Sequence, residues 1–273
     1  MLLLLSASSP INSAAQAPHA TGATADSAAW IVERFFARDG FPDRARHYTG
    51  EMLRHYRDSP TLGAGLAPNV RVAHRVLVRD ERRAIFAATL GDTARASDWY
   101  LYLERERGDW KLAAVRSFAM PAEFHALLDS LNASGTLPPL LMRLRERMRL
   151  ASRSDSALAH HLRTNWKAFD ELASLMSEAH EVELVGHDGL VEPTARRQSV
   201  SPRFTALLNE LRLSSAYRAD DHAGCLFLGI LAVADNEVGF LYAPPDCRVP
   251  AMNPELFIYV DRVLGRWYVY RTT

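Results

Sequence analysis

The chain has 273 residues, 48% hydrophobic and 23% charged, an ordinary globular mix for one large domain or two small ones, which excludes a wholly disordered, collagen-like or multi-span membrane chain. Lysine plus arginine and aspartate plus glutamate both number 32, so the net charge is zero and no basic excess points to a dedicated nucleic-acid binder. Two cysteines, Cys225 and Cys247, exclude a disulfide-dense scaffold and a four-thiolate zinc site.

Residues 1–26 read as a signal peptide or a disordered leader. Four leucines at 2–5 precede an Ala/Ser-rich stretch that ends in Ala15-Gln16-Ala17, a pattern suited to signal peptidase. The apolar run is short and no Lys or Arg precedes Arg34. Either the signal starts upstream of Met1, or the stretch is a solvated leader. The signal is preferred, because four consecutive leucines have no role in a solvated tail. The expected location is therefore periplasmic or secreted. No other apolar run approaches the ~18 residues of a membrane span.

Two helices come next. Ala28, Ile31, Val32, Phe35 and Phe36 fall at helical spacing within Ser27–Arg38, and Ala45, Tyr48 and Met52 do so within Asp43–Tyr56. The Gly63-Ala64-Gly65 run lacks the preceding strand and following helix that a phosphate loop needs. From Asn69 the period changes to two, giving strands over 69–79, 82–90, 97–107 and 110–118. Their turns are short, so neighbours pair antiparallel.

The hairpin Leu103-Glu104-Arg105-Glu106-Arg107-Gly108-Asp109-Trp110-Lys111-Leu112 carries an acidic and glycine turn, then Trp, a polar residue and an aliphatic one. With two helices before a curved meander, residues 27–119 resemble the nuclear-transport-factor-2-like superfamily. The resemblance implies a cone whose helices close over the concave sheet face. It implies a cavity that serves some members as an enzyme and others as a binding pocket. His74, Tyr100, Tyr102 and Arg116 are the candidate ligand-binding residues of that cone. No carboxylate shares the apolar face with His74, so no acid–base pair is visible there.

Pro121–Asn132 reads as a short helix, and 134–139 as a linker between two domains, 27–133 and 140–273. The helix Leu140–Ala151 is basic on one side. It suits an anionic surface, or more simply a solvated face that packs Leu141, Leu144 and Met148 inward. Asp155–Glu178 reads as the longest helix, with Leu158, Leu162, Trp166, Phe169, Ala173 and Met176 as its core stripe. His160-His161, His180 and His187 raise a metal question that their spacing does not support. Then come a strand at Val182–Val185, a loop at Gly186–Ser201 and a helix at Arg203–Leu213. Strands follow at 214–218, 225–234, 238–243, 256–264 and 267–271. This half, from residue 150, resembles uncharacterised exported bacterial proteins that end in a turn followed by Trp-Tyr-x-Tyr. Trp267, Tyr268 and Tyr270 read either as a recognition surface or as cross-strand packing.

A three-residue loop at Asp235–Glu237 pairs Ala234 with Val238, and the extended ladder sets Cys225 opposite Cys247. A disulfide between them is one expectation; a buried free Cys225 with a loop Cys247 is the other, since Pro244-Pro245 interrupts the ladder. The fold class expected is α+β, two domains, each with helices followed by an antiparallel sheet. The function expected is an exported, non-enzymatic protein that binds a protein partner or small ligand, with no cofactor, metal or nucleic acid. The rival is an enzyme or ligand carrier with its site in the amino-terminal cone.

Overall fold

The computed structural model describes residues 27–91, 96–178, 184–186, 201–219, 222, 224–233 and 236–273. The leader, His180, His187 and the start of the strand expected at 182 lie outside them. The fold is α+β, with two antiparallel sheets, each preceded by helices.

Helix α1 (Ala28–Phe35) starts at Ser27, whose hydroxyl accepts the Trp30 N–H. The second expected helix is split into a 3-10 turn, Arg44–His47, and α2 (Gly50–His55). The chain is extended at Tyr48 and Thr49 because this pair docks on the sheet. Tyr48 bridges Leu112 and is buried, and the Thr49 N–H donates to the Leu112 carbonyl at 2.9 Å. Gly63 has a packing role. A Cβ there would meet the Phe36 carbonyl carbon at 2.2 Å, so only glycine lets the loop lie against α1.

Strands β1 (Arg71–Arg79), β2 (Arg83–Gly91), β3 (Ala96–Glu106) and β4 (Asp109–Ser117) form a meander in chain order. Period-two alternation gives this sheet two apolar faces. Phe86, Leu101, Leu103 and Leu112 face α1 and α2, packing with Ile31, Phe35 and Met52. Each such burial contributes about 1.5–3 kcal/mol. Ile85, Ala87, Tyr100, Tyr102 and Ala114 point the other way, into a core shared with the second half of the chain.

Helices α3 (Ala122–Ala133) and α4 (Pro139–Ala151) form a hairpin, so the expected linker is its turn, over 134–138. Phe124, Leu131 and Met148 pack together there and against Leu231 and Val233. On α4 Leu144 and Met148 pack inward as expected, but Leu141 is exposed and Arg147 is buried, where burial together with Arg143 pulls its pKa down to about 10. The expected long helix is broken into α5 (Asp155–Thr164) and α6 (Trp166–Glu178). Asn165 makes the break. Its side-chain amide donates to the His161 carbonyl at 2.8 Å, and its own carbonyl accepts from Ala168 at 2.9 Å. An Asn side chain competes with the helix ladder in this way. Trp166, expected in the core stripe, is consequently 43% exposed.

The remaining elements are β5 (Leu184–Gly186), α7 (Pro202–Glu210), β6 (Ser215–Tyr217), β7 (Leu226–Val233), β8 (Asn236–Tyr242), β9 (Phe257–Leu264) and β10 (Trp267–Thr272). Their sheet runs β5-β6-β7-β8-β10-β9. Its core face meets α5, α6 and α7 through Leu162, Phe169, Leu207, Phe240 and Val269. The β7–β8 register differs from the expected one: Val233 pairs with Asn236, and a bulge between Gly229 and Leu231 leaves Leu226 opposite Tyr242. Cys225 and Cys247 are joined in a disulfide all the same. A turn over Pro244–Cys247, closed by the Cys247 N–H donating to the Pro244 carbonyl, returns Cys247 to the strand start.

Candidate binding cleft at the seam

The face of the first sheet that carries Tyr100 also carries polar groups at alternate positions. Arg75, Ala87, Tyr100 and Arg116 are cross-strand neighbours in one row, and Ala73, Thr89 and Asp98 form the next. These side chains bond to the second half. Tyr102 donates to the Ile258 carbonyl at 2.8 Å, Arg116 to the Pro254 carbonyl at 2.7 Å, and Arg75 to Asp261 at 2.7 Å. Tyr100 stacks on Tyr259 with ring centroids 5.0 Å apart. Arg116 also grips Glu51 of α2, whose pKa is lowered chiefly by that hydrogen bond. Three of the four expected cone residues therefore lie together on the seam between the halves. His74 is not with them. It belongs to the row of Ala88 and Trp99, on the α1 side of the sheet, and is exposed.

The seam contains a buried ionic cluster. Asp155, the first residue of α5, accepts from Tyr100 at 2.8 Å and from Arg271 Nε at 2.8 Å. Its own N–H donates to Asp98 Oδ2 at 2.7 Å, and Asp98 Oδ1 accepts from Thr89 at 2.6 Å. Asp98 thus caps α5 from another element, because the Ser154 hydroxyl makes no cap bond. Arg271 donates further to the Arg153 carbonyl and lies 4.6 Å above the Phe118 ring centroid. Burial pushes the Asp155 carboxyl up to about 6, with the Arg271 charge pulling it down and Asp98 adding to the rise. The Arg271 pKa, which burial alone would lower, is raised by Tyr100 and Asp155. Burial also holds the Tyr100 hydroxyl well above its ordinary range, so it stays a donor.

Beside the cluster opens a cleft of about 300 Å³. Trp99, Phe118 and Met120 give it apolar walls; Asp98, Arg153 and Arg271 give it charge. His125, four serines (Ser97, Ser117, Ser152 and Ser154) and three alanines, Ala119 among them, complete the lining. Asp155 stands behind this lining, with both oxygens engaged and almost no exposure. No family model and no curated protein matches the chain.

Sequence reasoning singled out Tyr100, Tyr102 and Arg116 but passed over Asp98, Asp155 and Arg271. Two of these had a signal. Period two puts Arg271 on the same face as Trp267 and Val269, a charge on an apolar strand face. The same period puts Asp98 on the face of Tyr100 and Tyr102. Asp155 reads from sequence only as an ordinary acid at a helix start. Among the described residues no group of three or more His, Cys, Asp or Glu is placed to hold a metal ion, and no helix is long and apolar enough to cross a membrane.

Proposed function

We propose that the protein is an exported binding protein whose small-ligand site is the cleft at the seam. The observation that carries this reading is the cleft's construction: a concavity in which the apolar surfaces of Trp99, Phe118 and Met120 stand beside converging charged and hydroxyl groups, lying where two sheet layers meet. Arg271 and Asp98 are held rigidly by buried partners, which lowers the ordering cost of binding. Binding is preferred to catalysis because Asp155, the raised-pKa carboxylate beside the cleft, is sealed behind it and committed to Tyr100 and Arg271. The helix–helix–meander order of residues 27–119 supports the nuclear-transport-factor-2-like reading. In this chain Tyr100, Tyr102 and Arg116, expected to line the cone, instead bind the second half. The Cys225–Cys247 disulfide supports export to an oxidising compartment, as do the leucine run and Ala15-Gln16-Ala17.

Thermal-shift screening of a library of small polar metabolites tests the reading, with Ala119→Trp as the blocked variant. Ala119 is exposed at the cleft wall, so the indole fills the cleft without disturbing the core. A ligand at about 100 times its Kd stabilises the wild type by about 2.7 kcal/mol, a rise of about 5–10 °C in Tm. Ala119→Trp should lose that rise. Equal shifts in both proteins, or none in either, would contradict the assignment.

A further inference from the structure

The break at Asn165 has a consequence on the second sheet. It turns Trp166 out of the core at the first position of α6, with Asp170 one helical turn later on the same side. Trp267, at the start of β10, sits directly opposite Tyr242 at the end of β8, with their rings 4.8 Å apart and tilted by 51°. The Trp267 indole N–H donates to Asp170 Oδ1 at 2.7 Å, which fixes both the ring and the carboxylate. With the β9–β10 turn, these residues enclose a cleft of about 450 Å³ lined by Trp166, Asp170, Tyr242, Leu264, Arg266 and Trp267. Asp170 Oδ2 accepts no hydrogen bond from a described residue, and the Arg266 side chain forms no ion pair with one. The cleft shares no residue with the seam cleft.

Charge narrows the class of ligand. An aromatic cleft with one carboxylate invites a cation. Here, however, Arg266 is on the rim and the Lys167 ammonium is 5.8 Å from the Trp166 ring centroid. Two positive charges against one negative repel a cationic guest. An anionic guest meets Asp170. A neutral guest with an apolar C–H face and hydroxyls that both donate and accept fits all the groups at once. We propose that this cleft binds a saccharide. The accessible rings of Trp166 and Tyr242 take the C–H face of a pyranose, the buried Trp267 backs them, Asp170 accepts from its hydroxyls and Arg266 donates to them.

Calorimetric titration of the full chain with cellohexaose, chitohexaose and maltohexaose decides the matter. At least one should bind at millimolar concentration or below. Trp166→Ala should weaken that binding by about tenfold or more, and Arg266→Ala, in an exposed turn, should also weaken it. Ala119→Trp should leave it unchanged, which separates this site from the seam cleft. Trp166 is exposed, so its removal leaves the thermal transition in place, and the Arg266 variant provides a second reading in any case. The proposal is overturned if none of the three sugars binds, if Trp166→Ala and Arg266→Ala bind as the wild type does, or if tetramethylammonium binds in their place.

Discussion

Asp155 enters the seam with its N–H capped by Asp98 and its carboxylate shared between Tyr100 and Arg271. The charged and titratable groups facing it are Asp98 and Tyr100 from β3, Arg271 from β10 and Tyr259 from β9. Burial outweighs the guanidinium, so the folded-state pKa of about 6 stands above the unfolded value of 3.8. Between those two values the folded chain holds a proton that the unfolded chain has released. The stability this group contributes is therefore full below 3.8 and is lost as pH rises toward about 6. In Asp155→Asn the loss is absent. Relative to that variant, the wild type should become less stable by up to about 3 kcal/mol between about pH 4 and pH 7. Paired urea titrations of the two proteins at both pH values measure the difference. A gap that does not change with pH would show that the carboxyl is not raised.

Hairpin register governs how the cysteines meet. The sequence contains the two cysteines, two strands and a turn, and those were legible. The bulge between Gly229 and Leu231 and the pairing of Val233 with Asn236 were not, because both depend on which side chains the helices α5–α7 admit to the sheet face. The ladder does not pair Cys225 with Cys247; the turn at Pro244–Cys247 does. The disulfide closes a loop with a sequence separation of 22, and for such a loop the chain-entropy contribution is about 3 kcal/mol. Cys247→Ser should lower the unfolding free energy by about that amount in urea titration under non-reducing conditions, and a reductant should have no further effect on the variant. Stability unchanged by the substitution would mean that the bond is absent from the folded protein. The helix break is a comparable case. The periodicity of Leu158, Leu162, Phe169, Ala173 and Met176 was legible, and each of them is buried. The competition between Asn165 and the ladder was not, since a mid-helix Asn is tolerated wherever its side chain points to solvent.

The whole molecule is joined through one sheet buried on both faces. Alternation along β2, β3 and β4 was readable as strand, and two helices before a meander were readable as one layer on it. What covers the opposite face comes from distant sequence, from Asp155, 55 positions from Tyr100, to Ile258, 156 positions from Tyr102, and local pattern does not contain it. Tyr100, Tyr102 and Arg116 stood out as polar groups on a sheet face, and their partners turned out to be carbonyls and two carboxylates of the same chain. The cleft is what the seam leaves open at one end. A chain so joined should unfold as one unit, because separating the halves would expose Ile85, Ala87, Tyr100 and Tyr102 together with Leu158, Ile258 and Tyr259. Differential scanning calorimetry of the full chain tests this most directly. A single transition is expected, with the calorimetric enthalpy equal to the van't Hoff enthalpy; two separated transitions, with a fragment spanning 27–133 melting at the temperature of one of them, would show that the halves fold apart.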